Sequence, residues 1–414
     1  MKSVRNWGRL GMNFDENSLY NIKSSVEEKR YSLFELATWK NGLAFKKINF
    51  SETGVPVIKI AELNNGIGGT TAYTQQTFSE DVHLCKGDLL FSWSGNPQTS
   101  IDIFRFNLDE GWLNQHIFKV TPDEKTIDKD YFYFLMKNLK PYFTQIATNK
   151  QTTGLGHVTI ADIKRMSVVV PSLDVQREIV SYIKPIDDKV ELNTAINNNL
   201  EQQAQAIFDR FYDSISGKIC ALSEVIDIRD GTHDSPKTTD DGYPLVTSKH
   251  LLPFGVDISS ANIISKTDYD KINERSKVNT GDILISMIGT VGLISYVIDS
   301  PVEFAIKNVG LFKTSQSPSL DLYILYYLKN NSTKHHIEKC LAGSTQKYIS
   351  LGELRKLPIV IPPQKELGTY NSVIRPIVSK IALLVQENKR LANIRDTLLP
   401  KLMSGELDVS SIDL

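Results

Sequence analysis

Lys86-Gly87-Asp88-Leu89-Leu90-Phe91-Ser92 returns further along the chain as Thr280-Gly281-Asp282-Ile283-Leu284-Ile285-Ser286. Working outward, Leu33-Phe34-Glu35-Leu36 with Lys40-Asn41-Gly42 is echoed by Leu222-Ser223-Glu224-Val225 with Arg229-Asp230-Gly231. Asp130 to Asn138 keeps step with Asp321 to Lys329, and Val158 to Met166 with Ile349 to Leu357. The offset stays near 190 residues. A copy of that length exceeds a solenoid repeat, so each copy is a domain with its own core. Two such copies imply a pseudo-two-fold symmetric molecule with two similar, independently variable sites.

Composition allows this arrangement. The chain has 414 residues, 41% of them apolar, enough for two domains and a connecting element. Cys85, Cys220 and Cys340 are far apart and suggest no disulfide framework, which fits a reducing compartment. Neither a signal-peptide core nor a membrane-length apolar run is present, and a soluble, cytoplasmic protein is expected. The formal charge of −1 does not announce a nucleic-acid partner. Basic groups would have to gather on one face, or partner subunits would supply phosphate contacts.

Short branched and aromatic runs, such as Val55 to Ile60 and Asp88 to Trp93, alternate with glycine turns and read as strands and loops. Helical spacing covers Lys129 to Leu139, with Tyr131, Phe134, Leu135 and Asn138 echoed by Leu322, Leu325, Tyr326 and Lys329. Each copy is therefore expected to be α+β. Extended segments ending at Pro171 and Pro363 precede two long helices. Spacings of four and three mark a seam through Ile179, Ile183, Ile186, Val190, Asn193, Asn197, Leu200, Ala204, Ile207 and Phe211. The second helix shows Val373, Ile377, Ile381, Leu384, Asn388, Leu391, Arg395 and Leu398 in the same style, with Pro185 and Pro376 predicting kinks. A helix of about 35 residues would be roughly 50 Å long and needs a partner for its seam. The two should pack as an antiparallel coiled coil that separates the domains. The expected boundaries are an extension at 1–30, domains at 31–173 and 214–363, helices at 174–213 and 364–407, and a tail at 408–414.

No catalytic motif emerges. Asn96-Pro97-Gln98 stops one proline short of an amino-methyltransferase signature, and Ser216-Gly217-Lys218-Ile219 lacks the glycine and hydroxyl of a phosphate loop. His83 with Cys85, and His335 with His336, lack the second ligand pair that zinc requires. Gly87-Asp88 and Gly281-Asp282 read as turns entering strands rather than as catalytic carboxylates.

Past those strands the two copies diverge, with Ser92, Trp93, Ser94 and Asn96 in the first and Ser286, Met287 and Thr290 in the second. A constant strand with a divergent polar loop suits a reading surface on a fixed scaffold. Lys150, Gln151, Thr152 and Thr153 set against Ser344, Thr345, Gln346 and Lys347 form a second such place. Lys59 set against Thr247, Lys249 and His250 forms a third. Amides, hydroxyls and lysines reach both phosphates and base edges, so all of these are candidate DNA contacts, although the second and third places are equally ordinary solvated loops.

Leu200-Glu201-Gln202-Gln203-Ala204-Gln205-Ala206-Ile207-Phe208, the stretch Leu398 to Leu407, Gly343-Ser344-Thr345-Gln346 and Pro362-Pro363-Gln364-Lys365-Glu366 together resemble the specificity (S) subunit of Type I restriction-modification enzymes. The resemblance runs from about Tyr31 to Leu407. It implies two target-recognition domains, each reading half of a bipartite double-stranded DNA site. The helices would set the gap and dock two methyltransferase (M) subunits, with restriction/translocase (R) subunits joining that core. Adenine-N6 methylation from S-adenosylmethionine and ATP- and Mg-dependent cleavage would belong to those partners, with no cofactor and no metal on this chain. The alternatives are the specificity subunit of a Type II-like (IIB/IIG) system, and a coiled-coil adaptor without a DNA role. A DNA enzyme acting alone is disfavoured by the missing motifs.

Overall fold

The repeated apolar run becomes the inner strand of a four-stranded sheet in each copy. The computed structural model describes residues 29–151, 154–344 and 346–407. Strands β1 (Ala37–Asn41), β2 (Leu89–Ser92), β3 (Asp102–Arg105) and β4 (Ile117–Pro122) form an antiparallel sheet in the order β1-β4-β2-β3. Strands β5 (Ile228–Asp230), β6 (Ile283–Ser286), β7 (Ile294–Tyr296) and β8 (Val309–Phe312) repeat it as β5-β8-β6-β7.

Both faces of the inner strand are covered, which explains a run without polar alternation. Leu89 and Phe91 join the cluster built on the helix Lys129–Asn138, whereas Leu90 joins Val57, Trp112 and Leu113 on the other side. Ile283 and Ile285 likewise pack with the helix Asp321–Lys329, and Leu284 with Val246 and Ile306. A second small helix follows each of these, Lys140–Asn149 and Asn331–Lys339, where the sequence predicts only one. A parallel pairing recurs as well, Ile58 beside Leu113 and Val246 beside Ile306. Each domain closes on itself: Lys29–Ser32 pairs with Ser167–Val170, and Lys218–Ala221 with Pro358–Ile361. Lys29 and Arg30 thus sit in a strand, whereas residues 1–28 and 408–414 lie outside the described residues.

The long helices span Leu173–Ser214 and Gln364–Met403, unbroken through Pro185 and Pro376. The chain divides into two units. One ends at Lys189 and resumes at Leu391; the other is Val190–Arg390. Both helices contribute to each unit, and within each they run antiparallel. In the first, Ile179 and Ile183 share a core with Leu398, Leu399, Leu402 and Met403. There Asp187, 4% exposed, accepts from Arg105 at 3.2 Å and from Arg395 at 2.8 Å. In the second, Leu200, Ala204, Ile207 and Phe208 join Ile377 and Ile381, and Phe211 stacks on Tyr370 at 4.8 Å. Leu384 is buried, and Ile186, Val190 and Leu391 are half-buried. Val373, expected in the seam, is 49% exposed. Tyr370, Ile374 and Val378 carry the buried face there, because that face meets both Phe208 of the other long helix and Tyr323 of the domain.

Candidate nucleic-acid interface

The three divergent segments of each copy converge at one end of its sheet. In the first unit the chain leaves β2 at Trp93, whose carbonyl accepts from Val158 N at 2.8 Å, and Ser94-Gly95 then pairs with Gly156-His157. In the second, the Met287 carbonyl accepts from Ile349 N at 3.0 Å, and Ile288 bridges Tyr348. The third segment joins through Ser248, whose hydroxyl donates to the Ile288 carbonyl at 3.2 Å. Its counterpart is Ile60, against which a Cβ at Gly95 would lie 3.7 Å away.

Several candidate side chains hold this rim from within. Ser92 and Ser286 are fully buried, and Ser94, Met287 and His250 nearly so. Ser286 Oγ donates to the Thr290 carbonyl at 2.5 Å and accepts from Leu293 N at 2.8 Å, which closes the loop over the strand end. Ser94 Oγ shares a hydrogen bond with His157 Nδ1 at 3.0 Å. Half-buried Trp93 donates to Asn41 Oδ1 at 3.0 Å and stacks on Phe118 at 5.6 Å, with His116 tilted against it. Asn96 is exposed, but its Oδ1 caps the following turn by accepting from Gln98 N at 2.9 Å.

Lys150 is also committed. Its ammonium holds both carboxylate oxygens of Asp162, at 2.5 and 2.6 Å, and Asp162 in turn caps the helix Ile160–Arg165 through Thr159. Burial would raise the Asp162 carboxyl, but the bonds from Lys150 and Thr159 prevail and hold it below the usual carboxylate range. Lys59 sets its ammonium over the Phe50 ring at 5.2 Å.

Gln151, Lys249, Thr290, Ser344, Gln346 and Lys347 are exposed on the rim, and Thr247 is half-buried. Thr152, Thr153 and Thr345 lie outside the described residues.

Sequence reasoning missed the short connection before the last sheet strand. It carries His116 at φ 74° in one unit and Asn308 at φ 54° in the other. Non-glycine residues rarely adopt that conformation, and its recurrence marks a shared turn. Gly42 and Gly231 are the legible signal for it. A Cβ on Gly42 would fall 2.0 Å from the Asn114 carbonyl oxygen, and one on Gly231 2.2 Å from that of Ile306. Glycine lets the two backbones meet there.

The family model for the Type I restriction modification DNA specificity domain matches residues 26–202 and again 218–393. The chain belongs to that family. It carries the DNA specificity domain twice, in agreement with the sequence repeat. The Type I restriction enzyme HindI specificity subunit of Haemophilus influenzae is 23% identical over 403 residues, covering 78% of this chain and 87% of that protein. The MjaIX specificity subunit of Methanocaldococcus jannaschii is 24% identical over 324 residues, covering 72% of this chain and 73% of that one. Among solved structures, the Type I restriction-modification system S subunit from M. genitalium superposes with a TM-score of 0.51 at 14% identity. That match covers 92% of this chain and 97% of the other, and shows a shared fold. No helix among the described residues is long and apolar enough to cross a membrane.

Proposed function

We propose that this chain is the DNA sequence-recognition subunit of a Type I restriction-modification complex, each specificity domain reading one half of a bipartite duplex site. One observation carries the reading: the same sheet presents the same three converging segments in both units, with different side chains exposed on each. A fixed scaffold with an exchangeable rim is what two independent readers of unrelated half-sites need. Phosphate contacts would position each domain, and the exposed amides and hydroxyls would read base edges. Methyl transfer and cleavage then fall to M and R subunits docked on the helical regions, with S-adenosylmethionine, ATP and Mg bound by those partners.

Reconstitution tests this. The purified chain, the methyltransferase subunits and their mixture are each incubated with duplex DNA and S-adenosylmethionine, and the methylated positions are mapped. A split motif methylated by the mixture alone is expected. Methyl transfer by the isolated chain would overturn the reading. So would a motif of which both halves change when residues 31–170 alone are exchanged for those of a relative.

A further inference from the structure

We infer that the second unit holds a phosphate-binding cavity beside its reading rim, shaped for a backbone phosphate of duplex DNA; this rests on the DNA-recognition reading above. The cavity, about 180 Å³, is lined by Ser235, Thr247, Lys249, His250, Asn262 and Lys307, with no carboxylate on its wall. Lys307 Nζ donates to Ser235 Oγ at 2.5 Å and Lys249 Nζ to the Ser260 carbonyl at 3.5 Å, so neither ammonium is neutralised by an acid.

His250 supplies an independent sign. It is 2% exposed, and its Nδ1 accepts from Thr247 N at 2.9 Å. That bond fixes the remaining proton on Nε2, which is buried and makes no hydrogen bond. The Ser260 carbonyl, which accepts from Lys249 at 3.5 Å, lies close enough to act on the imidazole, but it makes no hydrogen bond of normal geometry with Nε2. A buried donor without an acceptor destabilises the fold until an acceptor arrives.

Comparison with the first unit shows that capping alone does not call for histidine. Glu62 Oε2 accepts from Lys59 N at 3.1 Å in the place where His250 Nδ1 accepts from Thr247 N. The neighbouring position is Ala61 in one unit and Lys249 in the other. Across the parallel pairing, Asn114 N donates to the Ile58 carbonyl at 3.0 Å and Lys307 N to that of Val246 at 2.9 Å. Three equivalent positions therefore change from Ala, Glu and Asn to Lys, His and Lys, all towards positive charge or donor character. Ammonium and imidazole N–H groups are donors only and match the acceptor-only oxygens of a phosphate. Ser248, bonded to Ile288, ties this wall to the divergent loop, so a phosphate seated here would flank the bases read by the second unit.

The test measures binding of the chain, in complex with its methyltransferase subunits, to the methylation-mapped duplex and to a random duplex over a range of salt. Lys249→Ala/Lys307→Ala is expected to weaken both duplexes by similar factors of roughly tenfold or more, lowering the salt slope by about one to two. His250→Glu keeps a capping acceptor as Glu62 does, so it should fold normally by circular dichroism and lose affinity to a similar extent. A duplex carrying single methylphosphonates should reveal one position, in the half-site of the second unit, that weakens wild type but not the double variant. Wild-type binding with unchanged affinity and slope in both variants would overturn the inference alone, whereas a wild-type complex that binds no duplex would overturn the DNA reading with it. Inorganic phosphate that stabilises wild type but not the variants, with duplex binding unaffected by them, would overturn the assignment to DNA.

Discussion

Asn193 Nδ2 donates to Asn388 Oδ1 at 2.9 Å, placing an amide pair in the helix seam of the second unit. Asn193 is fully buried and also donates to Glu387 at 2.9 Å, while Asn388 returns a bond to Thr194 at 3.2 Å. Polar pairs in an apolar seam fix register at a cost in stability. Asn388→Ala should therefore destabilise this unit by about 1–2 kcal/mol, whereas Asn193→Leu/Asn388→Leu should match or exceed wild type. Thermal unfolding by far-ultraviolet circular dichroism checks this. A double variant as unstable as the single one would show that the pair contributes net stability.

Gly42 and Gly231 should be intolerant of a methyl group to the same degree. Alanine at either meets a carbonyl oxygen at 2.0 or 2.2 Å, which forces apart the adjacent parallel bridge, Leu43 with Asn114 in one unit and Thr232 with Lys307 in the other. Each substitution should cost roughly 2–4 kcal/mol. The probes separate the units, because the four tryptophans, at positions 7, 39, 93 and 112, all lie outside 190–390. Tryptophan emission should report an earlier transition for Gly42→Ala and none for Gly231→Ala, whose loss should appear in circular dichroism alone.

The glycines also show what was legible in the sequence. Their recurrence with the Gly-Asp-apolar run gave two α+β domains, since backbone constraints and buried strands leave fixed spacings. The helices were legible from period alone, but their faces were not: Val373 and Ile374 fit the spacing comparably, and contact with Phe208 and Tyr323 decides for Ile374 and its neighbours. At the rim the sequence showed where the two copies diverge, but not the depth of the side chains. Ser92 and Ser286 look like surface hydroxyls in a polar loop, yet each ends a buried strand. The correspondence of Glu62 with His250 was invisible because the two share no chemistry beyond an acceptor atom.

Asp88 and Asp282 make the same turn but sit at different depths. Each accepts a backbone N–H three residues back at 2.8 Å, from Cys85 and Asn279. The Lys313–Asp282 pair at 2.5 Å is almost wholly buried, at 4% and 0% side-chain exposure, whereas Lys119–Asp88 at 2.9 Å is partly exposed, at 21% and 22%. Lys313→Met strands a buried carboxylate and should cost roughly 3–5 kcal/mol. Lys119→Met leaves a partly solvated carboxylate and should cost about 1 kcal/mol. Urea titrations of the two variants make the comparison, and equal losses would mean that water reaches Asp282.

Gln346 and Lys347 are adjacent on the exposed rim of the second unit, yet they should fail in different ways. The Gln346 side chain is solvent-facing, and an amide there can pair with a base edge in two-pronged fashion. Lys347 is anchored through its backbone, its carbonyl accepting from Gly289 N at 3.3 Å, and its side chain is exposed, so on the proposed reading its ammonium would meet phosphate. Gln346→Ala should therefore cost roughly 1–3 kcal/mol of discrimination, confined to one half-site, with binding to random duplex unchanged. Lys347→Ala should weaken cognate and random duplexes alike and lower the salt slope by about one. Competition binding by the complex with its methyltransferase subunits, using duplexes mutated in one half-site at a time, separates the two patterns. If Gln346→Ala weakens cognate and random duplexes equally, that amide contacts the backbone and base reading passes to other exposed side chains of the rim.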